Sequence, residues 1–130
     1  MKRKNIPRPF NGGTWTEARK HAFIKSALRR AQWPQKYQAI KDAFVCYGIN
    51  PETNRKVKLH RCADCQGLFM ANKMHADHKT PVVPLTGFDS WDGVIDRLYC
   101  EAYGFDVLCE PCHKVRTDKE NRQRRENKEQ

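Results

Sequence analysis

The sequence predicts a small α+β domain that is held together by a bound metal ion. Three observations predict this class: two C-x-x-C cysteine pairs, helical periodicity in the first third of the chain, and short strand-like segments beside the cysteines. The chain has 130 residues, of which 38% are hydrophobic, so we expect a single small core. Small cores commonly need a metal ion for stability, which agrees with the cysteine pattern.

Residues 1–13 are predicted to form a flexible basic arm. Prolines and glycines stand there among Lys and Arg residues, and such a segment becomes ordered only on a partner. A helix follows, because Thr14 and Glu17 have the spacing of a capping box and apolar side chains recur at helical intervals as far as Leu28. Pro34 is expected to end this helix.

A second helix is predicted over residues 35–46, where apolar side chains again recur at helical spacing. The two helices would form a basic helical hairpin within an N-terminal extension that covers residues 14–58. The last part of this extension, residues 48–58, is polar and is predicted to be a loop. The extension leads directly into the first cysteine pair.

Residues 59–118 are predicted to form the metal-stabilised core. A strand is expected over residues 74–79, and Ser90 is placed to cap a helix that Gly104 terminates. Residues 105–108 then form a second short strand that enters the second cysteine pair.

The last predicted element is a helix that starts beside the fourth cysteine. Pro111 suits its first turn, because that turn has no need of the missing backbone N–H. The residues that follow, 119–130, contain almost no apolar side chains. We therefore expect them to form a charged tail that projects from the core or frays.

The two cysteine pairs predict a structural zinc site. Each C-x-x-C pair offers two thiolates from one tight turn, and two pairs complete a tetrahedral site. Disulfide pairing is one alternative, but the chain shows no apolar signal segment of the kind that directs export. Covalent haem is another, because the second pair is followed by His113, but haem would leave the first pair unexplained. The predicted ligands are Cys62, Cys65, Cys109 and Cys112.

Charge is distributed unevenly along the chain. Residues 1–58 hold 14 Lys and Arg against 3 Asp and Glu, whereas residues 59–130 hold 11 against 12. An excess of this size predicts a polyanionic partner, and nucleic acid fits better than a membrane because no stretch is apolar enough to span or coat one. A merely solubilising surface is the alternative. The basic residues expected on the first helix are Arg19, Lys20, Arg29 and Arg30.

Polar residues between the cysteine pairs predict a second metal site. Closing the zinc site should bring His113 near the strand that carries Asp77 and His78, and Asp77 and His113 are suitable ligands for a divalent cation. His78 then serves as a base, because its ordinary pKa lies near neutral pH. Adjacent strand residues point to opposite faces, so this site requires a twist, a bulge or a strand end. His75 shares the face of Asp77 and is interpreted as a supporting residue, with a third ligand, a phosphate contact or a surface position as alternatives.

These residues resemble the HNH (His-Me finger) endonuclease family, and in particular its small phage-type members. The resemblance rests on Cys62-x-x-Cys65, on Asp77-His78-x-x-Pro81 and on Val107-Leu108-Cys109-x-x-Cys112-His113, which stand in the family's order. Upstream, Leu28-Arg29-Arg30 and Trp33-Pro34 with Lys36 also look like these phage proteins. The similarity extends from residue 14 to residue 120.

The resemblance implies a ββα-metal core, preceded by the basic helical hairpin, that hydrolyses DNA phosphodiester bonds. It implies that Asp77 and His113 hold a catalytic divalent cation (Mg²⁺, Mn²⁺, Ni²⁺ or Zn²⁺), that His78 is the general base and that the four cysteines hold structural Zn²⁺. Lys79 is expected to contact the DNA together with the basic helix. The products would carry a 5′ phosphate and a 3′ hydroxyl.

One position departs from the family's pattern. The family's middle Asn usually stands five residues before the third cysteine, where this chain has Gly104, and no Asn occurs between residues 79 and 120. In the family this side chain braces the loop of the hairpin. Asp106 or Asp96 is expected to replace it, or the backbone alone holds the loop.

The leading hypothesis is therefore a metal-dependent DNA endonuclease that nicks or cuts duplex DNA, with a role in phage genome packaging or homing. The resemblance further suggests phage terminase or packaging proteins as partners and the cytoplasm of an infected host as location. The alternative is a non-catalytic zinc-stabilised module that binds DNA or a packaging partner. The two hypotheses differ at Asp77, His78 and His113, which a binding module does not need to hold together.

Overall fold

The computed structural model describes residues 4–129, so Lys2 and Arg3 of the predicted arm lie outside the described residues. It has an α+β architecture, with four α-helices and small antiparallel sheets within that range. The chain divides into two compact units, Met1–Gln32 and Trp33–Gln130, which are described separately. No helix within residues 4–129 combines the length and the apolar character that crossing a membrane requires.

The first unit contains helix α1 (Glu17–Ala31), and its N-cap is Thr16. The Thr16 hydroxyl accepts a hydrogen bond from the backbone N–H of Arg19 at 3.2 Å. The predicted capping box at Thr14 is therefore wrong by two residues. Thr14 instead closes a turn with Asn11, to whose carbonyl its hydroxyl donates at 2.7 Å, so it is not available to cap the helix.

The second unit begins with helix α2 (Trp33–Asp42), followed by strands β1 (Phe44–Ile49), β2 (Lys56–Arg61) and β3 (Leu68–Met70) in one antiparallel sheet. The predictions of a helix through residue 46 and of a loop over residues 48–58 are wrong. β1 is rich in aromatic and β-branched residues, which favour a strand once a partner strand is paired to it. That partner is β2, across a turn in which the N–H of Asn50 donates to the carbonyl of Arg55 at 2.9 Å.

The rest of the second unit consists of strand β4 (Met74–His78), helix α3 (Trp91–Leu98), strand β5 (Phe105–Cys109) and helix α4 (Glu110–Lys128). The two predicted strands and the start of the last helix are confirmed. So is the cap of α3, because the Ser90 hydroxyl accepts from the N–H of Gly93. The helix ends earlier than predicted, at Leu98 instead of near Gly104.

β4 and β5 form a regular antiparallel ladder whose two faces differ in character. One face pairs Met74 with Cys109 and Ala76 with Val107, and it contributes to the hydrophobic core. The opposite face carries His75, Asp77 and Asp106 beside the fully buried Leu108, and it is called the polar face below. The core cluster comprises Ala39, Cys62, Met74, Phe105, Val107, Leu108 and Cys109.

Helix α4 continues well into the segment that was predicted to be a charged tail. The guanidinium of Arg124 donates to the carbonyl of Val83 at 3.0 Å, and the amide of Asn127 donates to the carbonyl of Leu85 at 2.9 Å. These bonds attach the helix to the loop between β4 and α3. The prediction that this segment projects or frays is therefore wrong through Asn127.

Candidate functional site

The first cysteine pair forms a tight turn directly after β2. The N–H of Cys62 donates to the carbonyl of Gly67 at 2.9 Å, and the N–H of Gln66 donates back to the carbonyl of Cys62 at 3.0 Å. Gln66 has a positive φ of 62°, which reverses the chain. The N–H of Gly67 points at the sulfur of Cys65 at 3.4 Å, as in turns that present thiolates to a metal ion.

The second pair lies at the junction of β5 and α4. Cys109 is the last residue of the strand and the N-cap of the helix, and Cys112 lies in the first helical turn. A hydrogen bond of 2.8 Å from the N–H of Ala63 to the carbonyl of Val107 ties the two pairs together. The four sulfur atoms all lie within 4.8 Å of one another. They form a tetrad of the kind that holds structural zinc, and the zinc prediction is supported to that extent.

The thiols of this tetrad are electrostatically unequal. Burial raises the pKa of Cys62, but backbone N–H groups, first that of Cys109, outweigh it and lower the pKa to about 6. The pKa of Cys112 is raised to about 12, mainly because its thiol shares a hydrogen bond with Cys109, and the pKa of Cys109 is raised as well. Ionisation of one thiol in the cluster therefore raises the pKa of its neighbours and keeps them protonated. A divalent cation would reverse this, because it stabilises all four thiolates at once.

The polar face of β4 and β5 carries His75 and Asp77, which lie two residues apart on one strand. Asp77 stands directly opposite Asp106 in the ladder. The ring of His75 stacks on that of His113 in α4, with 4.7 Å between centroids and 14° between planes. Asp77 is partly buried, and among residues 4–129 its carboxylate has no hydrogen bond or ion pair.

The neighbouring carboxylate is neutralised by Arg116. Its guanidinium donates to Asp106 at 2.7 Å and makes a two-point ion pair with Asp64 in the first cysteine turn. The hydrogen bonds from Arg116 hold the pKa of the Asp64 carboxyl below its usual 3.8. Arg116 thus links the zinc-type tetrad to the polar face, where it neutralises Asp106 opposite Asp77.

His78 lies on the opposite face of the ladder from Asp77. No register shift interrupts the pairing of β4 with β5, but His78 is the last residue of β4, where the predicted strand end is indeed found. Its ring contacts Phe105 at 4.6 Å between centroids, and its Nε2 is 2.8 Å from the carbonyl of Leu98. A carbonyl only accepts, so Nε2 carries a proton and donates it to this bond.

Gly104 holds the chain next to His78 through its backbone. Its carbonyl accepts from the N–H of Lys79 at 3.0 Å, and its own N–H donates to the carbonyl of Glu101 at 2.8 Å. A Cβ atom at this position would lie 2.8 Å from both the Cβ and the sulfur of Cys100. The packing therefore has no space for an Asn side chain here. The backbone bonds of Gly104 agree with the alternative in which the backbone holds this loop, and Asp106 is engaged by Arg116.

The basic residues predicted to contact nucleic acid are all accessible. In the first unit, the guanidinium of Arg19 lies over the ring of Trp15 at 5.4 Å, and the ammonium of Lys20 lies over that of Phe10 at 3.9 Å. Both arginines at the end of α1, Arg29 and Arg30, are exposed. In the second unit, Lys79 is exposed beside the end of β4.

The structure thus brings together part of the predicted site. The four cysteines converge, and among residues 4–129 they form the only group of three or more potential ligands within 4.8 Å. His113 meets His75, whereas Asp77 and His113 do not form such a group with a third ligand. Sequence reasoning missed Arg116, for which no local signal exists because its two partners are distant in the chain.

Comparison of the chain with family models, with curated proteins and with solved structures finds no match.

Proposed function

We propose that this protein is a metal-dependent nuclease that hydrolyses DNA phosphodiester bonds, with the chemistry of the HNH endonucleases. The observation that carries the proposal is the unpaired, partly buried carboxylate of Asp77 on the strand face that meets the first turns of α4, where His113 lies. A carboxylate in such a position, with no protein partner among residues 4–129, is available as a ligand for a divalent cation. The order of β4, β5 and α4 agrees with a ββα core.

Asp77 and His113 are chemically suited to hold a divalent cation such as Mg²⁺, Mn²⁺, Ni²⁺ or Zn²⁺, with water and phosphate oxygens completing its coordination. When bound, such an ion supplies Lewis-acid stabilisation of the charge on the phosphate and on the leaving oxygen. Arg116 supports the site by occupying Asp106, so that a single carboxylate remains for the ion.

His78 would accept the proton of the attacking water. The hydrogen bond from its Nε2 to the Leu98 carbonyl orients the ring, and a general base requires such positioning. His78 and Asp77 lie on opposite faces of the ladder. Both could contact one phosphate only if that phosphate binds at the end of β4, where His78 is the last strand residue. Lys79, the next residue, is placed to attract that phosphate.

DNA is the proposed substrate because basic residues dominate the chain as far as residue 58. A role in phage genome packaging or homing, with terminase or packaging proteins as partners in a host cytoplasm, remains a further proposal that rests on the family resemblance alone.

The proposal is tested by incubating supercoiled plasmid with the full chain and Mg²⁺, Mn²⁺ or Ni²⁺. We expect nicking by the parent protein and a loss of about 100-fold or more in His78→Ala and in Asp77→Asn. Asp118→Asn is the matched control, since Asp118 is an exposed carboxylate on α4, and it should nick at the parental rate. Zinc content and circular dichroism confirm that each variant is folded.

Equal nicking by His78→Ala, Asp77→Asn and the parent would refute the proposal that this protein is a nuclease. The alternative, a non-catalytic zinc-stabilised DNA-binding module, would then be favoured, because the cysteine tetrad and the charge serve either function. A module of this kind predicts DNA binding that is unaffected by both substitutions.

A further inference from the structure

Helix α2 and the β1–β2 hairpin present three exposed aromatic rings, each accompanied by a lysine. Lys41 lies over Tyr37 at 4.6 Å, Lys56 over Tyr47 at 4.3 Å and Lys58 over Phe44 at 5.9 Å. The rings of Tyr37, Phe44 and Tyr47 are 50%, 39% and 53% exposed. Exposed apolar residues are ordinary when scattered, but rings grouped on one surface commonly mark a binding site. We name the surface formed by these six residues the aromatic–lysine face.

A β-bulge brings two of the rings to the same side of the hairpin. The pairing of β1 with β2 shifts register between Phe44 and Cys46, which places one extra residue in β1. Phe44 and Tyr47 consequently meet edge to face, with their centroids 5.3 Å apart. Tyr47 stands opposite Lys58 in the ladder. Rings and ammonium groups therefore alternate along a single surface.

A groove of about 350 Å³ joins the helical part of this face to the hairpin. Its lining includes Tyr37, Lys41, Lys58 and His60. His60 is only 3% exposed, and its buried Nδ1 has no hydrogen-bond partner among residues 4–129. A buried ring nitrogen of this kind is expected to have a polar partner, which an ordered water beneath the groove can supply.

We propose that the aromatic–lysine face binds single-stranded DNA. Exposed rings provide stacking surfaces for unpaired bases, and intervening lysines neutralise the phosphates between them, as in sequence-tolerant single-strand binding. The charge of the segment agrees, because residues 33–61 hold six Lys and Arg against two Asp and Glu. Bases in a duplex are stacked on one another and cannot stack on the protein's rings. A duplex would therefore contact the lysines but not the aromatic rings.

The proposal names the form of DNA that the nuclease would hold, and to that extent it rests on the proposed function. Strand separation at a junction, a flap or a packaging intermediate would supply such a substrate. The binding itself needs neither Asp77 nor His78, so it is measurable independently of hydrolysis.

The test is fluorescence anisotropy with a labelled thymidine oligonucleotide of about 12 nucleotides and with a duplex of the same length. His78→Ala serves as the parent, without added divalent cation, so that cleavage does not interfere. We expect tighter binding of the single strand. Tyr37→Ala and Tyr47→Ala should each weaken it by roughly 5- to 100-fold while changing duplex binding little, and Tyr47→Phe should retain it.

Two controls separate stacking from general effects. Tyr103 is 80% exposed and lies outside the face, so Tyr103→Ala should bind like the parent. Lys58→Gln should lower the slope of log affinity against log salt by about 0.7 on the single strand, as expected for one lost phosphate contact. Zinc content and thermal melting verify that each variant is folded.

Parental affinity of both tyrosine variants for the single strand, or an equal loss on single strand and duplex, would overturn the proposal. Plasmid nicking by Tyr47→Ala with His78 intact distinguishes the two proposals. If single-strand binding fails the test while nicking persists, only the aromatic–lysine face is wrong. If binding behaves as expected while nicking is absent, the face stands and the nuclease fails.

Discussion

Arg116 and Asp64 form a two-point ion pair, with Nε and Nη2 of the guanidinium at 2.8 and 2.5 Å from the two carboxylate oxygens. The same guanidinium reaches Asp106 with its Nη1. One side chain of α4 therefore joins a cysteine turn to the strand that faces Asp77. The arrangement couples the proposed structural metal site to the proposed catalytic one.

Replacing Arg116 by Ala should destabilise the fold and impair the site together. Three charge-assisted hydrogen bonds are lost, but the side chains involved are between a quarter and about a third exposed, so we expect a loss of about 1–2 kcal/mol in unfolding free energy. Urea denaturation measures this loss. Arg122→Ala, an exposed arginine on the same helix, is the control and should change stability by less than about 0.5 kcal/mol.

The effect of Arg116→Ala should not depend on pH near neutrality. The pKa of Asp64 is lowered by its bonds to Arg116, so the stability from this pair is present above the unfolded pKa and is lost only as pH falls through the lower, folded value. Both values lie at or below 3.8. The difference between parent and variant should therefore be the same at pH 6 and pH 8, and a difference that halves between those values would contradict the ion pair.

Substituting Gly104 should destabilise the protein even when the new residue is Asn, which the HNH endonucleases usually have at the corresponding position. The new Cβ would lie 2.8 Å from two atoms of Cys100, so the loop must shift, at a cost of about 1–3 kcal/mol. Gly104→Asn should therefore lower the melting temperature and reduce nicking instead of increasing it. A stabilising or more active Gly104→Asn would show that the position tolerates the family's residue.

Two variants identify the cause of the Gly104 effect. Gly104→Ala should lose stability because its Cβ lies 2.8 Å from the Cβ and sulfur of Cys100. Adding Cys100→Gly removes those two atoms and should restore much of the lost stability. Gly93→Ala in α3 is the comparison, because its Cβ would approach the ion pair of Arg97 and Asp89 at 2.9 Å and does not approach Cys100. Cys100→Gly should therefore not restore any stability that Gly93→Ala loses.

Zinc binding by the cysteine tetrad should release protons. In the metal-free protein the pKa values of Cys109 and Cys112 are raised, the latter to about 12, so both thiols are protonated at pH 7.5 and must lose their protons to become ligands. Calorimetry in buffers of different ionisation enthalpy should count at least two protons per ion. Affinity should fall as pH falls, because protons compete with the metal.

Removal of one ligand tests the same site. Cys109→Ser should lose the stoichiometric zinc of the parent and melt more than about 10 °C lower, because metal binding contributes directly to folding. Cys46→Ser is the matched control, since Cys46 lies in β1 outside the tetrad. Unchanged zinc content and melting in Cys109→Ser would refute a structural zinc ion.

The end of α4 should contribute to stability. Replacing Arg124 and Asn127 by Ala removes bonds to the carbonyls of Val83 and Leu85, and we expect a loss of about 1–3 kcal/mol for the pair. Arg125→Ala, exposed on the same turn, should have little effect. Equal stability of the double variant and the parent would show instead that this segment is a dispensable tail.

Local sequence patterns predicted the elements next to the cysteines and failed further from them. Ser90, Pro111 and the cysteine turns act on their immediate neighbours, so their effect is readable from the sequence. The β1–β2 hairpin was mistaken for a helix end and a loop. Its residues 44–46 fit a helical stripe, and only pairing with β2 decides for a strand.

The sequence by itself determined that four thiols converge, because two C-x-x-C turns with few competing partners have one good way to satisfy a metal ion. It also determined the basic character of the N-terminal half. Tertiary structure alone decided that Asp77 and His78 occupy opposite faces of a regular ladder, that Gly104 is closed to any side chain, and that Arg116 pairs with a residue 52 positions away. Such relationships arise from packing between distant segments, and neither residue spacing nor local propensity encodes them.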